Sequence, residues 1–361
     1  MKYALIGCGR VSPNHIVAAT KNNLELVGLC DVSKNAVYEL KEKYPLIKNV
    51  KFYKDYKKLL EEQKPELVAI ATESGKHADI AVDCINAGCN VIVEKPIALS
   101  IKDADRIIEA AERMGVKVAA NHQNRFNASI QKIHEAVEQG RFGRIFHGTT
   151  QIRWSRGESY YRQASWRGTW EMDGGALMNQ CIHNIDLLNW MLGEEPTEVI
   201  AMTDNLNHSY IEGEDIGLAI VRYKNGAYGV VEGTVNVYGG DMEEALCLFG
   251  ENGTVKADGT INNIIENWRF ADEKDDEEEV KREFSVPVDH IYGKGHTALY
   301  ADMIDAIVNN RKPLVDMYSG KKALELVLAI CKSSFEKKAV QLPLHDASTL
   351  DFKGMFKSEH P

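Results

Sequence analysis

The stretch GGALMNQCIHNIDLL, Gly174–Leu188, carries three side chains able to hold or move a proton: Asn179, His183 and Asp186. Separated by four and then three residues, they fall on one face of a helix, while Leu177, Cys181, Ile185 and Leu188 make an apolar stripe. Imidazole titrates near neutrality, so a histidine fixed on a helix is a candidate general base. A second candidate is Lys95 in VEKP, Val93–Pro96, whose ammonium can hydrogen-bond a substrate oxygen while Glu94 pairs with it. Both motifs also have a plain structural reading: Asp186 as a helix anchor, Glu-Lys-Pro as a solvated turn.

A third motif, GCGRVS at residues 7–12, follows the apolar run YALIG and opens a helical pattern. Gly7 permits a tight turn, and Gly9 lets main-chain amides approach a pyrophosphate at the helix N-terminus. Ser12 stands in for a third glycine. The next strand ends at Asp31, 22 residues beyond Gly9, where a carboxylate accepts hydrogen bonds from an adenosine ribose and repels a 2′-phosphate. The expected cofactor is NAD rather than NADP.

These side chains need elements to position them. Up to about residue 120, short apolar runs (YALIG, ELVGLCD, ELVAIAT, NVIVEK, VKVAAN) alternate with segments of helical spacing. Such alternation predicts α/β architecture with a Rossmann-type, doubly wound parallel sheet, and ligands at the carboxyl ends of its strands, where VEKP lies. Past NHQNRFN a helix at about 127–139 is followed by a strand, the histidine-bearing helix and a run of strands with an Asn225-Gly226 hairpin signal. Helices are predicted around 296–309 and 316–337. The reading is an NAD-binding domain over 1–121 and a substrate-binding and oligomerisation α+β domain over 122–361, with a largely antiparallel, open-faced sheet. The acidic run at 272–279 reads as a solvated loop.

Composition narrows the partners. With 43 Lys+Arg against 53 Asp+Glu, the net charge of −10 disfavours nucleic acid and anionic membranes. Seven scattered cysteines without a CxxC pair suggest neither a disulfide framework nor a metal site. The first strand starts almost at Met1, leaving no room for a signal peptide, and no apolar run approaches a membrane span. A cytoplasmic protein is expected.

Residues 153–170, RWSRGESYYRQASWRGTW, hold three of the five tryptophans, two tyrosines and four arginines. Aromatic faces stack on sugar or base rings, and arginine forks match carboxylate and phosphate oxygens. Arg153, Arg156, Tyr160, Tyr161, Arg162, Trp166 and Arg167 are therefore candidates for holding a charged sugar; a subunit interface or satellite core is the alternative. Gln123, Asn124 and Arg125, at the crossover between domains, are further candidates. His77 in ATESGKH follows the fourth strand on the cofactor side.

Taken together, the fingerprint, EKP and GGALMNQCIHNIDLL resemble the glucose–fructose oxidoreductase/inositol dehydrogenase superfamily over essentially the whole chain. The resemblance implies a catalytic group of Lys95, Asn179 and His183, with Asn179 standing where the superfamily has Asp. It also implies cofactor contacts at Gly7, Gly9, Arg10, Val11, Asp31, Thr72, His77, Glu94, Lys95, Gln123, Trp166 and Arg167. QNRFN, RW followed by YY, WRGTWEMDGGALMNQCIHNIDLL and IEGEDIGLAIVRYKNG look like the bacterial UDP-N-acetyl-2-amino-2-deoxyglucuronate 3-dehydrogenases. That narrower resemblance implies NAD-dependent oxidation at carbon 3 of a UDP-sugar uronate in surface-polysaccharide (O-antigen) biosynthesis. It further implies recycling of the cofactor by 2-oxoglutarate in some relatives, and a homo-oligomer, commonly a tetramer. Either Lys95 or His183 could be the base. A free-sugar or inositol dehydrogenase and a non-catalytic NAD-binding regulator remain as alternatives.

Overall fold

The computed structural model describes residues 1–287 and 294–356. Contacts divide them into two units: Met1–His122 with Lys294–Lys321, and 123–287 with 322–356.

The first unit alternates strand and helix: β1 (Lys2–Ile6), α1 (Ser12–Lys21), β2 (Glu25–Cys30), α2 (Lys34–Lys43), β3 (Lys51–Tyr53), α3 (Tyr56–Gln63), β4 (Leu67–Ile70), α4 (His77–Asn86), β5 (Asn90–Val93), α5 (Ile101–Met114) and β6 (Val118–Ala120). The sheet is parallel with order β3-β2-β1-β4-β5-β6, the doubly wound arrangement, and β1, β4 and β6 bury nearly every residue. Local chemistry sets the helix ends: Ser100 caps α5 by accepting from Asp103 N, and Gly115 ends it in the left-handed region at φ 68°. β3 has no counterpart in the sequence reading, because three residues at a sheet edge are too short to show a period.

The expected division at residues 121 and 122 also needs correction. The second unit carries helices α6 (Ala128–Glu138), α7 (Glu158–Tyr161), α8 (Ile182–Met191) and α9 (Glu277–Phe284), after which the chain returns to the first unit with α10 (Gly295–Val308), while α11 (Met317–Glu336) begins in the first unit and ends in the second. Of these, α10 packs on α1, burying Leu299, Tyr300 and Met303. Asn22 Nδ2 donates to Thr297 O at 3.0 Å, and the Tyr3 and Tyr300 hydroxyls meet at 2.8 Å. Helical spacing marks a helix around 296–309 but contains nothing about which sheet it covers.

In the second unit, β7 (Ile145–Arg153), β8 (Pro196–Asp204), β9 (Ile216–Tyr223), β10 (Tyr228–Thr234), β11 (Glu243–Gly250), β12 (Gly253–Asp258), β13 (Ile264–Phe270) and β14 (Val340–Gln341) form one sheet. Its order is β13-β12-β11-β7-β10-β9-β8-β14, antiparallel except between β7 and β10. β9 alternates buried and exposed residues, as a sheet covered on one face must. α8 lies against β7, β10 and β11, and Leu177, Cys181, Ile185 and Leu188 are all fully buried. The acidic run is not simply a loop: Asp276 caps α9 by accepting from Glu279 N, and its glutamates sit where the helix dipole favours negative charge. The buried Arg141 takes Asp272 and Asp275. All seven cysteines are buried, and no helix among the described residues is long and apolar enough to cross a membrane.

Candidate active site

In the first unit the nucleotide turn is built as its spacing predicts. Gly7 sits at φ +96°, and a Cβ there would lie 2.8 Å from Thr72 N and overlap the Ala71 carbonyl. Gly9 faces open space, and Ser12, fully buried, donates through Oγ to Gly9 O at 2.6 Å, closing the turn into α1. At the end of β2, Asp31 accepts from Cys8 N through Oδ2 and from Ser33 N through Oδ1, each at 2.7 Å, which fixes its carboxylate beside the turn. A small open turn, a helix N-terminus and a fixed carboxylate are the donor and acceptor set that a pyrophosphate and a ribose diol need. Val11 is the N-cap residue of α1, and Arg10 is exposed beside it. Asp31→Ala is expected to weaken NAD binding about ten- to a hundred-fold while sparing NADP, by loss of hydrogen bonds to a charged acceptor; NADH and NADPH fluorescence titrations read this. An unchanged ratio of the two affinities would remove Asp31 from the ribose site.

Other predicted cofactor contacts have different tasks. His77 is buried, its Nδ1 facing Pro96 O at 2.8 Å and its Nε2 facing Thr72 O at 3.1 Å. Its ring ties the end of β4 to the turn after β5, and burial lowers its pKa. Lys95, half-buried, lies two residues beyond the end of β5. Glu94 is a correction: its carboxylate is spent on the protein interior. Oε1 meets His15 Nε2 at 3.0 Å and His296 Nε2 at 3.4 Å and accepts from Asn121, while His15 Nδ1 meets Tyr300 Oη at 2.7 Å. Burial alone would raise the Glu94 pKa, but hydrogen bonds from the two histidines outweigh it and hold it well below the usual carboxylate range. His15, Glu94 and His296 are the one group among the described residues spaced as three metal ligands are. Their contacts to Tyr300 and Asn121 explain the cluster as a hydrogen-bond network.

The second unit carries the histidine. Leu177–Cys181 is a π-turn, which leads into α8. π-turns are uncommon and recur at functional sites. This one alters the simple face drawn from a 3.6-residue period. His183 is 9% exposed, and Gln123 Nε2 lies 3.4 Å from its Nε2, so the amide can donate to an unprotonated Nε2. Gln123, expected at the cofactor, thus lies beside the histidine. Asn179 donates to Asp173, whose other oxygen accepts from Gly168 N at 2.6 Å. A carboxylate is therefore tied to Asn179 although the helix itself lacks the Asp. Asp186 takes Arg125 in two bonds of 2.8 and 2.7 Å, and Arg125 also reaches Glu194 at 2.9 Å. This removes Arg125 from the candidate ligand contacts.

The aromatic and arginine-rich segment separates into two groups. Tyr160 is a hub: Arg167 donates to its hydroxyl and lies 4.3 Å over its ring, Arg156 lies 5.6 Å over the ring, and Gln180 Nε2 reaches the hydroxyl at 2.9 Å. Trp166 stacks under Arg167 at 4.7 Å. Gln180, from the π-turn, was missed because an amide in an apolar helix carries no local signal. Arg156 is also ion-paired to Asp241 at 2.7 Å, and Arg153 is engaged by Glu232 and Glu243 on the sheet. Arg162 pairs with Glu158 one helical turn away on the surface, and Tyr161 is buried in an aromatic cluster with His208 and Tyr210. Arg153 and Arg162 stay outside the Tyr160 group, whereas the Tyr161 ring meets the Tyr160 ring edge-on at 5.1 Å.

The fold and the nucleotide turn define an NAD-dependent dehydrogenase. Residues 1–122 match the oxidoreductase family with an NAD-binding Rossmann fold, and residues 130–256 match the GFO/IDH/MocA C-terminal domain. The chain belongs to the GFO/IDH/MocA oxidoreductases, whose sugar and inositol dehydrogenases it resembles throughout. It is 35% identical to the WlbA dehydrogenase of Bordetella pertussis, solved with NADH and UDP-GlcNAcA, covering 95% of this chain and 98% of that one at a TM-score of 0.89. The WlbA dehydrogenase of Chromobacterium violaceum, solved with the same two ligands, is 33% identical, with 95% and 96% covered and a TM-score of 0.86. Myo-inositol 2-dehydrogenase of Thermotoga maritima is 27% identical over 95% of this chain and 98% of its own.

Proposed function

We propose that this dehydrogenase oxidises the 3-hydroxyl of UDP-N-acetylglucosaminuronic acid to the 3-keto sugar. The observation that carries the reading is the Tyr160 hub, where Arg167, Trp166 and the Asp241-paired Arg156 meet the amide of Gln180 from the turn leading to His183. Guanidinium forks suit the uronate carboxylate and the diphosphate, and the aromatic faces suit the rings. The two WlbA relatives crystallised with UDP-GlcNAcA support the same substrate.

In this reading His183 takes the hydroxyl proton on Nε2, the substrate hydroxyl replacing the Gln123 amide that faces that lone pair at 3.4 Å. Lys95 hydrogen-bonds the same substrate oxygen and stabilises the negative charge that develops there. Asn179, held by Asp173, sets the imidazole in place. NAD, held at the Gly7–Ser12 turn and Asp31, supplies the electron acceptor for the carbon-bound hydrogen. A free polyol substrate is the second reading, favoured by the inositol dehydrogenase relative.

Absorbance of reduced nicotinamide separates the two, with UDP-N-acetylglucosaminuronic acid, UDP-N-acetylglucosamine, free N-acetylglucosamine and myo-inositol as substrates. Each is run with and without 2-oxoglutarate, and keto-sugar is followed by mass spectrometry. Oxidation of the UDP-uronate at least a hundred-fold faster than of the others is expected, since the uronate and diphosphate each add charge-assisted bonds worth about 1.5–3 kcal/mol. Faster oxidation of myo-inositol would overturn the UDP-sugar reading.

A further inference from the structure

Glu214 precedes β9 in the segment IEGED and is fully buried, with no exposed area. It binds the start of the helix that carries the candidate base at two points. Its carbonyl accepts from Ala176 N at 3.2 Å, and its Oε1 accepts from Leu177 N at 2.7 Å, satisfying two of the amides that a helix N-terminus leaves open. The fit is tight: a Cβ on Gly175, at φ +91°, would overlap the Glu214 carboxylate, and one on Gly213 would sit 2.7 Å from Gly175 Cα. Oε2 has no hydrogen-bond partner among the described residues.

The groups facing Glu214 are Asp173 from the turn before the helix and Asp215 beside it, with Tyr161 on α7 and Cys331 on α11. No cation is among them. Asp173 accepts from Gly168 N and Asn179, and Asp215 accepts from Leu206 N, Asn207 N and His208. Both neighbouring carboxylates thus have several donors each, whereas Glu214 has one oxygen bound and one bare. Two or more carboxylates in one dry region divide in this way, the best-solvated by donors keeping the charge and the other keeping a proton.

We propose that Glu214 is a positioning residue for His183: as a neutral acid it seats the Leu177–Cys181 π-turn, and loss of its proton unseats that turn together with Asn179 and His183. Burial, the dominant cause, pushes its pKa up to about 8, with Asp173 and Asp215 adding to the rise and the Leu177 amide opposing it. The sign follows from a raised folded-state value in an acid. The stabilisation is fully present below the ordinary carboxylate range and is lost as pH rises through about 8.

Glu214→Gln keeps the shape and the acceptor for Leu177 N and cannot ionise. Melting temperatures of wild type and E214Q are compared from pH 5 to 9.5, together with kcat/KM for the UDP-uronate. Wild type is expected to lose melting temperature relative to E214Q as pH rises, levelling off above about 8. Its kcat/KM falls toward about tenfold per pH unit on the alkaline side, and E214Q lacks that limb. In wild type itself, the infrared carbonyl stretch of a protonated carboxylic acid is expected at pH 6 and is titrated away near pH 8, which keeps the test open if E214Q does not fold. Parallel pH profiles for the two proteins, or no acid band at pH 6, would overturn the proposal. The kinetic arm rests on the dehydrogenase reading of His183. The melting and infrared arms need no substrate, so an intact titration with no oxidation of any sugar would sink that reading and leave the buried acid standing.

Discussion

His183→Ala is expected to lower kcat for the UDP-uronate by about 10²–10⁴-fold, the range for removal of a general base, with KM changed much less. The imidazole Nε2 meets Gln123, and the histidine lies on a helix whose seating depends on the apolar residues Leu177, Cys181, Ile185 and Leu188. NADH affinity serves as the control, because the turn at Gly7 and the carboxylate of Asp31 lie in the first unit. The loss is expected to shrink at alkaline pH, where hydroxide or a second base can take the proton. Lys95→Ala should cost a comparable factor, and the double variant little more than either alone, because groups acting on one oxygen are not additive. Near-normal turnover of His183→Ala would transfer the role of base to Lys95.

The second large effect concerns stability. Asp186→Ala is expected to cost the second unit about 3–5 kcal/mol, as removing one member of a buried ion pair does. Arg125 and Asp186 are each 1% exposed, so the substitution leaves a guanidinium without its two-bond partner in a dry site. Glu194 at 2.9 Å and the face of Trp190, 4.6 Å below the guanidinium, hold it only in part. In thermal denaturation this corresponds to a fall of roughly 6–20 °C for a domain of this size. Replacing both partners, as in Arg125→Met with Asp186→Leu, should recover much of the loss, since it removes the uncompensated charge. A melting temperature unchanged in Asp186→Ala would show that the pair is not an anchor and would return Asp186 to consideration as a partner of the imidazole.

Much of the architecture was legible because it is written locally. Five of the six parallel strands are short apolar runs, and the GCGRVS turn declares itself by glycines whose freedom a tight turn requires. The helix bearing His183 showed its apolar stripe, and the same four residues are the buried ones. Asp31 was located by its distance from Gly9 and lies beside the turn.

What escaped was partner choice. Arg153, Arg156, Arg162 and Arg167 are alike in sequence, yet Glu232, Glu243, Asp241 and Glu158 claim the first three, and Tyr160 takes the hydrogen bond of Arg167. Glu94, next to Lys95, turned instead to His15 and to His296 from a helix some 200 positions later. The π-turn moved Asn179 off the face a regular helix would give it, and Asp173 claimed its amide. Glu214 lies in a segment that carried the resemblance but gave no sign of its burial, because a glutamate in a polar loop and one sealed under a helix read the same. The sequence by itself determined periods, turns and the residue types available for chemistry, which depend on neighbours within a few positions. Only the tertiary structure decided which charges meet and which are buried, because desolvation and pairing energies depend on contacts that chain order does not encode.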